Sequence, residues 1–285
     1  MNTGIVVELG IASIAAAALY GLIALGVVLA YAGSGTVHLA IGQVAITGGL
    51  VAAAVYRAGA SVGLSIFVGL LVGGALSALA ETGLVETTRG RPLIGAVLLL
   101  AGGVVLWEVL VGIFPQPAYA FPSMGGTFHL AGGLVRVRDL VDIGVVVLAA
   151  LLGLVVLQFT TLGTSLRLSS SAPEAAERIG VDTAHMRRLA FATGGVLATG
   201  AVLLGVADFP LAVASLTPAV AGGLPLALRG IAAAAGGGMR SPVRALGAAL
   251  AIGAVQQVGD FKLGAGGEAL ANATSVLLIM VGWPR

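Results

Sequence analysis

Apolar runs about as long as a bilayer is thick recur through this chain, and that recurrence restricts its fold more than any motif does. A hydrocarbon core of about 30 Å takes about 20 helical residues at 1.5 Å each. Gly4–Tyr31, Ala60–Leu79, Pro92–Phe114, Ile143–Phe159 and Leu189–Ala207 meet or approach that length. Two further stretches are apolar but interrupted: Val37–Tyr56 by His38, Gln43 and Thr47, and Leu216–Gly238 by Pro218, Pro225, Arg229 and a glycine triplet. Val243–Val258 and Ala269–Trp283 are short for a full crossing. With 14 basic and 12 acidic residues in 285, the chain cannot build a soluble surface, which needs about 25% charge. The expectation is an all-α polytopic membrane protein, a single transmembrane domain over residues 1–285, with eight or nine transmembrane or re-entrant helical segments. Val37–Tyr56 and Leu216–Gly238 are the ones suited to a broken or re-entrant path.

Composition excludes several alternatives. The 45 glycines follow no G-X-Y period and are accompanied by only 10 prolines, which removes collagen, and the apolar content removes disorder. The first apolar run is too long for a signal-peptide core and lacks a basic leader. The basic residues, a single lysine and otherwise arginine, are scattered between apolar runs with no patch interleaved with aromatics, so no nucleic-acid partner is expected. Without cysteine there is no disulfide, thiolate metal site or cysteine nucleophile. His38, His129 and His185 fit no metal-hydrolase spacing, no G-x-S-x-G elbow occurs, and Lys262 sits outside any phosphate loop. No cofactor, metal or catalytic group is expected, and nucleotide chemistry would have to reside on other subunits.

The arginines orient the helices. If the turn at Arg89 and Arg91 is cytoplasmic, alternation puts Arg167, Arg178, Arg187, Arg188, Arg240, Arg244 and Arg285 on that side, against Arg57, Arg136, Arg138 and Lys262 outside. This agrees with the positive-inside bias and places the N-terminus outside. Residues 115–138 then form an extracytoplasmic loop in which Thr127–Leu130 and Leu134–Arg138 predict a hairpin with a glycine-containing turn.

Residues 160–188 form the one long cytoplasmic loop. Its Ser171-Ala172-Pro173-Glu174 run has capping-box spacing and predicts a two-turn helix starting there. Gly180 would stop that helix and Asp182 would cap the next, which continues into the apolar segment. Ala175 and Ala176 would give it a small-residue face able to enter a groove on another protein. Spacing alone fits a plain capped connector equally well.

Resemblance adds a function. Glu174-Ala175-Ala176-Glu177-Arg178-Ile179-Gly180 is similar to the E-A-A-x-x-x-G pattern of ABC importer permeases, whose short cytoplasmic coupling helix docks on the ATP-binding subunit. Tyr20 to Gly26 with Tyr31, Glu81 through Arg91-Pro92, Leu162-Gly163, Leu203-Leu204-Gly205, Gly236-Gly237 through Pro242, and Met280 to Pro284 resemble, in order, the branched-chain amino acid ABC transporter permeases. The likeness is to the LivH-type, the smaller member of the permease pair. It implies a second permease subunit, two ATP-binding subunits and an extracytoplasmic substrate-binding protein as partners, in the lipid of a bacterial inner membrane. It also implies that Glu174, Ala175, Ala176, Ile179 and Gly180 couple the chain to the ATPases.

The polar lining departs from the family. Where Asn-Phe-Ala-His-Gly-Glu is usual, this chain has His38-Leu39-Ala40-Ile41-Gly42-Gln43, with Arg229 near a usual lysine and Glu108 at a usual amide. Ionisable groups at membrane depth are costly unless paired or facing water, which makes Glu108 and Arg229 candidates for the translocation path, and His38, Gly42 and Gln43 of the rewritten segment complete the candidate set. The four polar ones also have a structural reading: an interfacial, snorkelling carboxylate for Glu108, satisfaction of a broken helix for Arg229, a helix-to-helix hydrogen bond for His38 and Gln43. Glu81, Glu86, Arg89 and Arg91 read most simply as interfacial anchors. The competing function is a self-contained ion-coupled carrier or channel for a small solute, with urea or short amides as other possible cargo.

Overall fold

The computed structural model describes residues 3–114, 121–122, 125–130, 132–206, 224–264 and 266–282. The apolar runs become helices: α1 (Thr3–Ser34), α2 (Ile41–Arg57), α3 (Val62–Ala80), α4 (Pro92–Ile113), α5 (Val137–Phe159), α8 (Thr183–Val206), α9 (Leu224–Gly236), α10 (Pro242–Leu263) and α11 (Gly266–Gly282). Between α5 and α8 lie two shorter helices, α6 (Thr161–Ser171) and α7 (Pro173–Arg178). Among the described residues, α1, α3 with its extension, α4, α5 and α8 are long and apolar enough to cross a membrane. Residues 216–223 with Pro218, the loop prolines Pro115 and Pro117, and the segment from Trp283 to Arg285 lie outside the described residues.

Several helices run past their apolar cores because polar residues hold the ends. α5 starts at Val137 rather than at Ile143, since Arg136 pairs with Asp139 at 2.9 Å and Arg138 with Asp142 at 3.7 Å across its first turns. Acidic side chains there also suit the helix dipole. α10, expected to be short, reaches 22 residues by starting at Pro242 and continuing past Val258 through Asp260 and Lys262 to Leu263. α3 is capped by Ser61, whose hydroxyl accepts the Leu64 N–H, and continues through a π turn at Glu81–Val85 and a 3-10 turn at Glu86–Thr88. Gly90 at φ 84° then turns the chain and Pro92 opens α4.

α1 is the central post, packed against α8, α10, α9 and α5, while α2 lies between α3 and α8. Small residues permit these contacts. A Cβ on Gly26 of α1 would stand 2.6 Å from the Gly194 carbonyl oxygen of α8, and one on Gly194 would stand 2.7 Å from that of Gly26. The Gly69-x-x-x-Gly73 pair acts likewise: Gly69 meets the Gly48 backbone of α2, and Gly73 meets Thr199 and Gly195 of α8. The expected hairpin is present, β1 (Thr127–Leu130) antiparallel to β2 (Gly133–Arg136) with Leu130 opposite Gly133. It packs on the N-terminal turn of α1, where Gly4 touches Gly132 and Gly133.

Candidate functional site

α7 is a six-residue helix begun by Pro173 and ended by Gly180. Gly180 has φ 84°; its N–H donates to the Glu177 carbonyl at 3.0 Å and the Val181 N–H to the Ala176 carbonyl at 3.0 Å. That is a Schellman end, as the glycine position predicts. Asp182 caps α8 as expected, its carboxylate accepting the His185 N–H at 2.9 Å, and this bond holds its carboxyl below the usual range.

The capping box expected at Ser171 does not form. The Ser171 hydroxyl donates instead to the Arg167 carbonyl, 2.8 Å away in α6, and the residue at the head of α7 is Ala172, which offers no side-chain cap. The hydroxyl finds a carbonyl one helical turn back before it can reach forward. Ala176 is a second correction: it is fully buried against the body of the protein, so the two-alanine outward face does not exist. The exposed residues are Glu174, Ala175, Glu177, Arg178, Ile179 and Gly180, with Ile179 70% exposed.

Charges tie α7 to the rest of the bundle. Glu177 accepts from Arg89 at 2.5 Å and from the Thr183 hydroxyl at 2.8 Å; those two bonds, Arg89 first, hold its carboxyl below the ordinary value. One turn into α8, Arg187 meets Glu81 of the π turn at 2.8 Å and Glu86 at 3.6 Å. Arg188 completes the group, 3.3 Å from Glu86 and 3.9 Å from Glu81. Glu81 is completely buried and Arg187 nearly so. The four residues read from sequence as interfacial anchors thus behave differently: Glu81, Glu86 and Arg89 belong to an ion network joining α3, α7 and α8, and only Arg91 has no such tie among the described residues. Between this network and the end of α1 lies a cavity of about 220 Å³ bordered by Ser34, Glu86, Arg89, Pro173 and Arg187.

The candidate path residues fall into three places. His38 and Gln43 lie in and just before α2; His38 Nε2 shares a 2.8 Å hydrogen bond with Ser77 of α3, and its ring stacks on Phe191 of α8. Gly42 is buried in α2, and Gln43 packs where Gly103 of α4 leaves room. Gln43 Oε1, His38 Nδ1 and Thr199 Oγ1 are buried with no hydrogen-bond partner among the described residues. Glu108 stands apart, exposed on α4 beside the buried Trp107.

Arg229, 5% exposed, is held by groups from three other helices. It donates to Tyr20 of α1 at 2.8 Å, to Gln256 of α10 at 3.1 Å, and to Glu268 and Asn272 of α11 at 3.3 Å each. The Tyr20 ring lies 5.4 Å below its guanidinium, and the Tyr20 hydroxyl also donates to Gln256. Sequence reasoning missed Tyr20, Gln256, Glu268, Asn272, Ser77 and Thr199 as parts of these clusters; only the rarity of polar side chains in apolar runs pointed at them. No group of three His, Asp or Glu among the described residues could hold a metal ion.

The model of a family described as branched-chain amino acid transport system / permease component matches residues 10–282. A chain of PsaBC from Streptococcus pneumoniae in complex with Fab is similar in fold, with a TM-score of 0.50 at 16% sequence identity, covering 95% of this chain and 89% of that one. No curated protein matches the sequence.

Proposed function

Because the chain belongs to the branched-chain amino acid transport system permease family, we propose that it is the membrane permease subunit of a bacterial ABC importer for branched-chain or similar small amphipathic amino acids, of the LivH-type. In this reading it sits in the inner membrane with eight or nine segments, its N-terminus outside if all nine cross. It pairs with a second permease, receives substrate from an extracytoplasmic binding protein, and leaves ATP hydrolysis to two ATP-binding subunits.

The observation that carries the reading is α7. A short helix with an outward Ala175 and Ile179 suits a groove on another protein; Ala176 is its buried side, and the exposed Glu177 ties it to Arg89 and Thr183. A push on α7 therefore reaches α8 directly and α3 through Arg187, Glu81 and Glu86. Both helices meet α2 through glycine contacts that tolerate sliding but no added bulk. The unpaired polar atoms of His38, Gln43 and Thr199 lie among those helices and supply hydrogen-bonding capacity for a polar solute. Arg229, already satisfied by its own chain, serves as a brace beside the path.

Co-purification tests the assignment. The chain expressed with its partners should bring down two ATP-binding subunits and a second permease. Ile179→Asp should weaken that association by about 2 kcal/mol or more, roughly thirty-fold, as expected for an anchor in a partner pocket, whereas Phe128→Ala in the distant hairpin should not. Undiminished recovery of the ATPases with Ile179→Asp would remove α7 from the interface.

A further inference from the structure

At the arginine-rich end a second cavity, about 400 Å³, opens between the last turn of α1, the end of α5, α6 and the turn before α10. Leu154 and Leu157 supply an apolar wall, and Arg167 and Arg240 supply two positive charges beside Ser170 and Ser171. Both arginines are exposed. Arg167 uses its Nε on the Gly163 carbonyl at 3.3 Å, which leaves its four terminal N–H groups for a ligand. Neither arginine forms an ion pair among the described residues. Of the carboxylates at this end, Glu81 and Glu86 are engaged by Arg187 and Arg188 and Glu177 by Arg89, while Glu174, exposed on α7, does not border the cavity. Among the described residues, no acidic one borders the cavity.

Two cations facing one cavity without a carboxylate repel each other and favour an anion between them. The position narrows which anion. α1 and α5 are both of membrane-crossing length and composition, so the cavity, at their ends, stands where hydrocarbon gives way to headgroups. A soluble anion would use the arginines and leave the leucines idle, whereas a molecule carrying both a phosphate and acyl chains uses both walls. The seryl hydroxyls already donate to the Arg167 carbonyl, at 3.1 and 2.8 Å, so the guanidiniums are the donors available to phosphate oxygens.

We infer that this cavity binds an anionic phospholipid, its phosphate between Arg167 and Arg240 and its acyl chains along Leu154 and Leu157. Because α6 leads directly into α7, the lipid would steady the base from which α7 projects.

Native mass spectrometry of the full chain in mild detergent, titrated with dioleoylphosphatidylglycerol, tests this. The phosphatidylglycerol adduct should form in preference to a phosphatidylcholine adduct and survive millimolar inorganic phosphate. The R167A/R240A variant should weaken it about thirty-fold, at roughly five-fold for each surface cation, while R91A/R244A, with the same loss of charge, should not. If R167A/R240A does not fold, Arg240→Gln alone should cost roughly five-fold. Equal losses in R167A/R240A and R91A/R244A, displacement by inorganic phosphate, or unchanged binding in Arg240→Gln would each overturn the assignment.

Discussion

Glu81 and Arg187 lie 106 positions apart in sequence and meet at 2.8 Å in the interior. A pair so placed costs desolvation, and its removal by halves costs more than its removal entire. Glu81→Ala or Arg187→Ala is expected to destabilise the protein by about 3–5 kcal/mol, read as loss of folded protein on heating in detergent. Glu81→Leu with Arg187→Met should restore most of that stability yet impair transport, because the buried charge link from α8 to α3 is gone and only the exposed pairs Arg89–Glu177 and Arg188–Glu86 remain. Full transport by the double variant would show the pair to be structural only. Gly26 makes a second point at this scale: with backbone facing backbone, Gly26→Ala should cost about 1–3 kcal/mol by overpacking, measurable in the same melt. Neither pairing was legible in sequence. Glu81 and Arg187 each look like ordinary interfacial charges at the end of an apolar run, and only the fold brings those ends together. Arg229 was visible as an oddity in an apolar segment, but its partners on three other helices were not.

Among the elements, the helices were the most legible part. Pro92–Phe114 as an apolar run and α4 at Pro92–Ile113 nearly coincide, and Gly180 and Asp182 mark their turns as local chemistry says they should. Where local pattern failed, a competing bond explains it: Ser171 had the spacing of a cap and spent its hydroxyl on Arg167. α7 also carries a pH signature. The folded-state carboxyl of Glu177 is held below its unfolded value of about 4.3, first by Arg89 and then by Thr183. Its contribution is therefore complete above that value and is lost only as pH falls through the lower, folded-state one. Hydrogen exchange in residues 173–181 should be equally protected from pH 8 to pH 5, after correction for intrinsic rates, and lose protection in stronger acid. Glu177→Gln should show reduced protection at neutral pH and no further loss in acid. An acid response unchanged by Glu177→Gln would assign it to another group.

For the molecule as a whole, the scarcity of charge was enough to read a helical membrane protein, and the order of family-like segments was enough to read a permease; the matching family model covers residues 10–282. What the chain's pattern could not convey is how the two polar systems divide. One, at the arginine-rich end, couples α7 to α3 and α8 through Glu177, Arg89, Arg187 and Glu81. The other, around Arg229, braces α1, α9, α10 and α11. Glu108 belongs to neither and faces outward, so Glu108→Gln should leave uptake rates within about two-fold, a change of under 0.5 kcal/mol as for an ordinary surface position, and a larger loss would put that carboxylate back on the path. The central claim is that solute movement through this chain is driven from α7 by ATP hydrolysed on other subunits. Uptake of labelled leucine into proteoliposomes tests it most directly, comparing the chain alone with the chain in complex with its permease, ATP-binding and substrate-binding partners. The account predicts uptake only with the complex and ATP, abolished by Ile179→Asp. Uptake by the chain alone, driven by a proton or sodium gradient and indifferent to Ile179→Asp, would contradict it.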